Sequence, residues 1–319
     1  MSLTSDPNLK TAFGGYLDLV EQELRIIEEH QPVSLFYDPI RYFLKIPGKR
    51  IRPLLVFLSA EIFGAAGKVS RFAAAAVEML HNFTLVHDDI MDEDNLRRGQ
   101  PTVHTKWDVS TAILTGDGLM GLAFQKLLQS PRGDLTEMSR RFVKTMLVIC
   151  EGQGLDKMFE KRTTISEEEY LNMIGCKTAA LLQLSCQLGG LVAGAEDDDI
   201  HGLGELGYAL GMAFQIQDDL LDIIGGTDTI GKDAGSDLGM HKKTLPAIKL
   251  QSAYPDQDIF ALNLHEFKAL LRESGVLDEV TARYEAYFSQ AEEKFQRLPA
   301  GESRDQLGNL IRFIRYRRW

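Results

Sequence analysis

The sequence predicts an all-α protein: a single large helical bundle around a deep central cavity, spanning residues 1–319. Three observations predict it. Apolar residues recur at helical spacing almost throughout, and no segment alternates as a strand would. The periodic segments are separated by turn chemistry (Pro47-Gly48, Ala66-Gly67, Ser130-Pro131-Arg132-Gly133, Pro299-Ala300-Gly301), with no solenoid-length repeat or low-complexity linker to split the chain. Two helical runs distant in sequence each carry Asp-Asp-x-x-Asp, and their chemistry requires them to meet, which favours one domain with a cavity between helices.

Taken in order, helices are expected over roughly 9–30, 34–45 and 51–65. The third follows Gly48-Lys49-Arg50-Ile51-Arg52-Pro53. Pro53 suits a first helical turn, and cations at a helix amino terminus make a ready anion site, although an exposed basic turn would look the same. The helix over 69–94 carries Phe83-Thr-Leu-Val-His-Asp-Asp-Ile-Met-Asp92. Residues three and four apart share a face, so Asp88 and Asp92 form one stripe that continues backwards through Thr84 and His81. His81 reads as a satisfied structural residue or, from its place on that stripe, as part of a site. Arg97 and Arg98 follow, where the helix should end near Gly99 and Pro101. They read as cations capping a helix carboxyl end or as guanidinium forks for phosphate oxygens.

Helices over 105–129 and 134–161 come next, then one over 167–195. Lys177-Thr178 opens an uncharged stretch of this last helix, running to Ala195. That lysine either reaches water along its stem or pairs with an anion in a cavity. Gln183, Ser185, Gln187 and Gly189-Gly190 make the stretch a buried core helix and not a membrane span. The helix over 198–225 opens on Asp197-Asp198-Asp199, which suits its dipole. It carries the second motif, Gln215-Ile-Gln-Asp-Asp-Leu-Leu-Asp222, with Gln215, Asp218 and Asp222 on one face.

A glycine-rich loop runs from Gly225 to Pro246. Loops of such length are functional or disordered, and the functional reading is a flap that brings Lys232 and Lys242 to phosphates. It lacks the GxxxxGK[ST] spacing of a P-loop. Helices over 244–252, 258–274, 277–296 and 302–317 complete the chain. The basic tail from Arg312 either complements the last helix dipole or folds over an anionic site.

Each acidic stripe lies on an otherwise apolar helix, and buried carboxylates must pair, protonate or hold a metal. Oxygen-only donors suit a hard divalent cation, Mg²⁺ above all, which takes substrate phosphate and water as its remaining ligands. A solvated acidic face would account for one copy; two copies in apolar sequence point to a diphosphate clamped through Mg²⁺ by facing helices. The 319 residues, 44% of them hydrophobic, allow a large core, and the net charge of −11 excludes a nucleic-acid binder. Cys150, Cys176 and Cys186 have no CxxC spacing and read as reduced core residues. With no signal-peptide pattern and no transmembrane segment, the expected location is cytoplasmic.

The GKRIRP segment, HDDIMDEDNLRRGQPTVH, the Lys177-Thr178 pair, FQIQDDLLD and the GKDAGSDL…KKTLP loop occur in this order from about residue 40 to about 250. Together they resemble the trans-isoprenyl diphosphate synthases, the polyprenyl synthetase family, of short-chain type. The resemblance implies an isoprenoid synthase-like helical fold, usually a homodimer. The activity it implies is Mg²⁺-dependent head-to-tail condensation of isopentenyl diphosphate with an allylic diphosphate (dimethylallyl, geranyl or farnesyl). By motif, Asp88 and Asp92 would bind metal on one side of the allylic diphosphate and Asp218 and Asp222 on the other, with Asp89 and Asp219 in support. Arg97, Lys177, Thr178, Gln215, Lys232 and Lys242 would contact the allylic substrate; Lys49, Arg52, His81 and Arg98 would hold isopentenyl diphosphate. His241 departs from the family, which often has Gly there, and this bears on the conformation of the loop. Phe83, five positions before Asp88, and its neighbour Thr84 would set product length, pointing to C20 and then C15. A longer-chain synthase, a terpene cyclase and a non-catalytic synthase subunit are the competing readings. The second acidic motif and the GKRIRP segment argue against the cyclase, and the completeness of both motifs argues against the subunit.

Overall fold

The computed structural model describes residues 7–25, 33–225 and 235–316. The chain is all-α apart from one minimal hairpin among these residues. The helices are α1 (Pro7–Arg25), α2 (Ser34–Leu44), α3 (Ile51–Ile62) and α4 (Gly67–Met91), followed by strands β1 (Leu96–Arg97) and β2 (Gln100–Pro101). Then come α5 (Val103–Lys106), α6 (Val109–Leu127), α7 (Leu135–Glu160), α8 (Glu167–Ile174), a π-helical turn (Gly175–Ala179), α9 (Ala180–Ala193) and α10 (Asp197–Ile224). The chain ends with α11 (Ser236–Gly239), α12 (Leu245–Ala253), a 3₁₀ turn (Ile259–Ala261), α13 (Leu264–Glu273), α14 (Val276–Gln296) and α15 (Glu302–Arg315).

The described residues fall into two compact units. One draws on Met1–Met146, Leu184–Leu203 and Leu298–Leu307; the other on Leu147–Gln183, Gly204–Arg297 and Gly308–Trp319. In the first unit α4 is the central helix, packed against α6, α3, α1 and α2. Its run Ala73–Ala76 is wholly buried, and such small residues let neighbouring helices come close. Opposite it, Gly116 of α6 lies so near the His87 ring that a Cβ there would sit 2.1 Å from Nε2. In the second unit, Ile216, Leu220 and Ile223 turn one stripe of α10 into a core with Tyr170, Leu245, Ile248, Phe267 and Val280. Each such side chain, fully buried, contributes about 1.5–3 kcal/mol. That stripe leaves Gln215, Asp218 and Asp222 on another face.

Helix starts follow local chemistry. Asp108 caps α6 by accepting the Thr111 N–H at 2.7 Å, and Ser166 with Glu169 forms a capping box at α8. The Asp108 cap splits the helix expected over 105–129 into α5 and α6. The helix expected over 167–195 is interrupted by the π turn, and the one over 258–274 begins as a 3₁₀ turn with a new capped start at Asn263. The first helix is described over Pro7–Arg25, the remainder of its expected span lying outside the described residues. The cysteine expectation is corrected as well: all three are free thiols, yet only Cys186 is buried, Cys176 is partly buried and Cys150 is exposed on α7. Among the described residues no helix is long and apolar enough to cross a membrane.

Candidate active site

In the first unit, α4 ends sooner than its sequence suggests. Asp92 is its carboxyl-terminal cap rather than an interior residue, its N–H donating to the Asp88 carbonyl at 2.8 Å. Arg97 and Arg98 are therefore not helix-end caps. They sit on the β1–β2 hairpin, where Leu96 pairs with Pro101 and Arg97 with Gln100. Its two turn residues, Arg98 (φ 52) and Gly99 (φ 75), are both left-handed, as a two-residue type I′ turn requires. Neither strand is long enough to show alternation, so the sequence pattern could not reveal it.

The hairpin aims its arginines differently. Arg97 returns to α4, where Nε and Nη2 both lie 2.6 Å from Oδ1 of the buried Asp89. Burial works against the charge of Arg97, and the bond to Asp89 more than offsets it, holding the guanidinium above its usual value. Arg98 donates from Nη1 to the Pro47 carbonyl at 2.7 Å, beside the GKRIRP turn. On α3, Arg52 Nη1 is 3.1 Å from His81 Nε2, and the Arg52 Nε is buried with no hydrogen-bond partner. Burial lowers the Arg52 guanidinium to about 10, with Glu78 opposing the shift and Arg98 adding to it. His81 is held well below the ordinary histidine range by burial and then by Arg52, Arg98, Arg97 and Arg50, so the ring is neutral at pH 7. A neutral imidazole beside an orphaned guanidinium donor, amid further arginines, is an anion-binding arrangement.

Phe83 is buried, its ring edge-on to His87 with centroids 4.9 Å apart. His87 in turn lies against α6, its Nε2 3.3 Å from the Ile113 carbonyl oxygen. Phe83 thus belongs to the α6 side of α4, off the Asp88 stripe. Thr84 is on the stripe, its hydroxyl donating to the His81 carbonyl at 2.8 Å.

In the second unit the corresponding anchor is Asp219. Tyr170 donates its hydroxyl to Oδ2 and Gln215 its amide to Oδ1, each at 2.7 Å. Gln215 also accepts from the Thr178 hydroxyl at 2.8 Å. Burial, with Asp237 and Asp218 nearby, pushes the Asp219 carboxyl well above the ordinary range, against the pull of its two hydrogen bonds. Lys177 pairs with Asp156 of α7 at 2.5 Å. Both Lys177 and Thr178 lie in the π turn, a feature frequent at functional sites. The turn exists because glycine flanks it on two helices: a Cβ at Gly152 would be 2.4 Å from the Lys177 nitrogen, and one at Gly211 2.4 Å from the Ala179 Cα.

Asp222 accepts from the Asp237 N–H at 3.2 Å, and its own carbonyl accepts from Gly235 at 2.9 Å. This fixes the described end of the loop to the second motif. His241 has φ 54, a left-handed conformation that glycine takes without strain, which is why its presence bears on this loop. The His241 ring lies against Phe260, with centroids 5.2 Å apart. Lys242 follows, its N–H bonded to the Asp237 carbonyl at 2.9 Å. Lys232 lies outside the described residues.

Each acidic motif therefore separates its aspartates by role. The second of each, Asp89 or Asp219, is buried against an anchor; Asp88 and Asp92, and Asp218 and Asp222, remain partly accessible. Among the described residues no three His, Cys, Asp or Glu side chains converge closely enough to hold an ion alone. Paired carboxylates at helical spacing, all oxygen donors, fit Mg²⁺, which needs only one or two protein carboxylates when phosphate completes its shell. Tyr170, Asp156 and Glu78 lie outside the motifs read from the sequence, whereas Asp237 stands within GKDAGSDL; of the three, Glu78 carries a signal, standing three residues before His81 on the same helix stripe.

Residues 33–276 match a family profile described as Polyprenyl synthetase. The geranylgeranyl diphosphate synthase of Sulfolobus acidocaldarius is 45% identical over 221 residues, covering 68% of this chain and 67% of that one. The geranylgeranyl pyrophosphate synthase of Geoglobus acetivorans is 37% identical over 93% of this chain and 95% of its own. In architecture, the geranylgeranyl pyrophosphate synthetase of Pyrococcus horikoshii superposes with a TM-score of 0.89 at 34% identity, covering 97% of this chain and 99% of that chain.

Proposed function

The chain belongs to the polyprenyl synthetase family and is a prenyltransferase, and from that premise we propose that it condenses isopentenyl diphosphate head-to-tail with an allylic diphosphate to make geranylgeranyl diphosphate. The single observation that carries this reading is the matched division of labour in the two acidic motifs. Each buries one aspartate against hydrogen-bond partners and leaves two more partly accessible on the same helix, carboxylates that a metal-bound diphosphate needs.

In this reading Asp88 and Asp92 of one motif, and Asp218 and Asp222 of the other, would hold Mg²⁺ that carries the allylic diphosphate. The ion supplies positive charge to a leaving group that becomes more anionic as it departs. Arg97, Lys177, Lys232 and Lys242 add charge at the same group. The allylic carbon–oxygen bond breaks and diphosphate leaves with the electron pair. Thr178 and Gln215 turn their dipoles toward the cation formed. Isopentenyl diphosphate, held by Lys49, Arg52, His81 and Arg98, attacks through its double bond. A carbon–carbon bond forms, and the released diphosphate takes the proton lost from the new chain. Water would quench the cation, so the site has to exclude it while the carbon–oxygen bond breaks.

The protein works as one synthase domain in the cytoplasm, as a homodimer. Ile113 and Leu114 on α6 and Val143 on α7 are large apolar side chains left exposed, a surface that a second copy would cover. Phe83 limits the product to C20 from its place on the α6-facing side of α4. The test is mass spectrometry of products made from labelled isopentenyl diphosphate with dimethylallyl, geranyl or farnesyl diphosphate, with Mg²⁺ or with chelator. A C20 product that requires Mg²⁺ and both substrates is expected, and Phe83→Ala should lengthen it. Cyclised hydrocarbon from an allylic diphosphate alone would reject the synthase reading, and unchanged Phe83→Ala products would reject the role of Phe83.

A further inference from the structure

Between Lys49 and Arg52 stands a residue with no part in the chemistry above. Arg50 is a non-glycine residue in the left-handed region (φ 49, ψ 31), a conformation that costs about 1–2 kcal/mol. Such strain persists only where the surroundings over-determine it. Here the surroundings are the side chain's own bonds. The Arg50 guanidinium is buried and donates from Nη1 to Glu78 at 2.6 Å, from Nε to Glu21 at 3.1 Å and from Nη2 to the Leu44 carbonyl at 3.2 Å. Glu78 is buried on α4, three residues before His81, and Asn82 donates to its carbonyl at 2.6 Å.

We infer that Arg50 and Glu78 are positioning residues for the isopentenyl diphosphate site, acting through Lys49, Arg52, His81 and Arg98 without touching substrate. This rests on the functional reading above. The Arg50 side chain pulls inward and fixes the left-handed backbone, so the residues on either side of it are directed by a bond to α4. Glu78 is also the carboxylate whose field reaches Arg52 and Arg98, where it opposes the loss of their protons. The same stretch brings Arg98 close: a Cβ at Gly48 would lie 2.8 Å from Arg98 Nη1 and 3.2 Å from Arg50 Nη1. One buried carboxylate thus stands among three guanidinium groups and holds them at a spacing they would not keep unaided.

The experiment compares steady-state kinetics of the full chain with those of Arg50→Lys and Glu78→Asp. Both variants keep their charge; the first loses the planar fork and the second shortens the reach to Arg50. Each should raise KM for isopentenyl diphosphate tenfold or more, while KM for the allylic diphosphate and kcat at saturation stay within about threefold. Arg71→Lys is the control. Arg71 makes a comparable ion pair to Glu23, at 2.9 Å in the same unit, and its replacement should leave both KM values unchanged. Thermal melting checks folding, and Glu78→Asp carries the same expectation if Arg50→Lys does not fold. Unchanged KM for isopentenyl diphosphate, or an equal rise for both substrates, overturns the inference alone. A wild-type protein that condenses no substrate pair overturns the functional reading and this inference with it.

Discussion

At the scale of single residues, the two acidic motifs show that identical letters do different work. Asp89 and Asp219 are held by Arg97 and by Tyr170 with Gln215; their loss would leave buried donors unsatisfied, a cost of about 1–3 kcal/mol each. Asp88 and Asp218 have been assigned to the diphosphate. Asp88→Ala or Asp218→Ala should therefore lower turnover by orders of magnitude with the melting temperature within a few degrees of wild type. Near-normal turnover in purified Asp88→Ala would remove the metal-holding role. His81 gives a pH prediction. Its folded pKa is depressed by burial and by the arginines around it. Above the ordinary histidine value of about 6.5 both folded and unfolded states are neutral there, and stability is unaffected. Below it the unfolded chain takes up a proton the folded ring refuses, so stability falls as pH falls. His81→Gln should flatten the decline in melting temperature between about pH 6.5 and pH 5; an identical slope would show that the ring does not titrate this way.

At the scale of elements, the π turn is the feature on which the second unit's site geometry depends. An extra residue in the turn pushes the backbone of Lys177, Thr178 and Ala179 outward, against Gly152 of α7 and Gly211 of α10. Both approaches are backbone to backbone, so an added methyl cannot be absorbed by a rotamer change. Gly211→Ala should shift the turn, break the bond from Thr178 to Gln215, and lower kcat/KM for the allylic diphosphate at least tenfold. Gly154→Ala, on the same helix as Gly152 but with nothing within 4 Å of the new methyl, should be kinetically silent. Equal effects of the two, measured by competition between allylic substrates, would detach the turn from substrate binding. The β1–β2 hairpin makes a similar point in the first unit. A short type I′ turn reverses the chain just after α4, so that Arg97 returns to the motif it follows while Arg98 reaches toward Pro47.

At the scale of the whole molecule, the exposed apolar side chains on α6 and α7 mark where association would act. Ile113 is 45% and Leu114 47% exposed, two adjacent large apolar side chains on one helix. Ile113→Glu should convert the proposed dimer into a monomer in sedimentation equilibrium, since a buried unpaired carboxylate at an interface is strongly unfavourable. A variant that keeps the mass of a dimer would place the association surface elsewhere, and a monomeric wild type would remove the dimer.

The order of helices and the acidic stripes were legible in the sequence because they rest on local spacing: 3.6-residue periodicity, i to i+4 faces and turn residues at the breaks; the roles given to the site residues came from the resemblance of the motifs to a family. Tertiary structure decided which aspartate of each motif is an anchor, because that depends on Arg97 returning from a hairpin too short to show a pattern and on Tyr170 arriving from another helix. It also decided that Lys177 pairs with Asp156, and that Arg50 is buried between the two residues of GKRIRP assigned to substrate. In each case the deciding partner is remote in sequence or set by a backbone conformation that composition does not encode. Spacing along the chain can place a charge on a face; only the packed fold determines which opposite charge meets it.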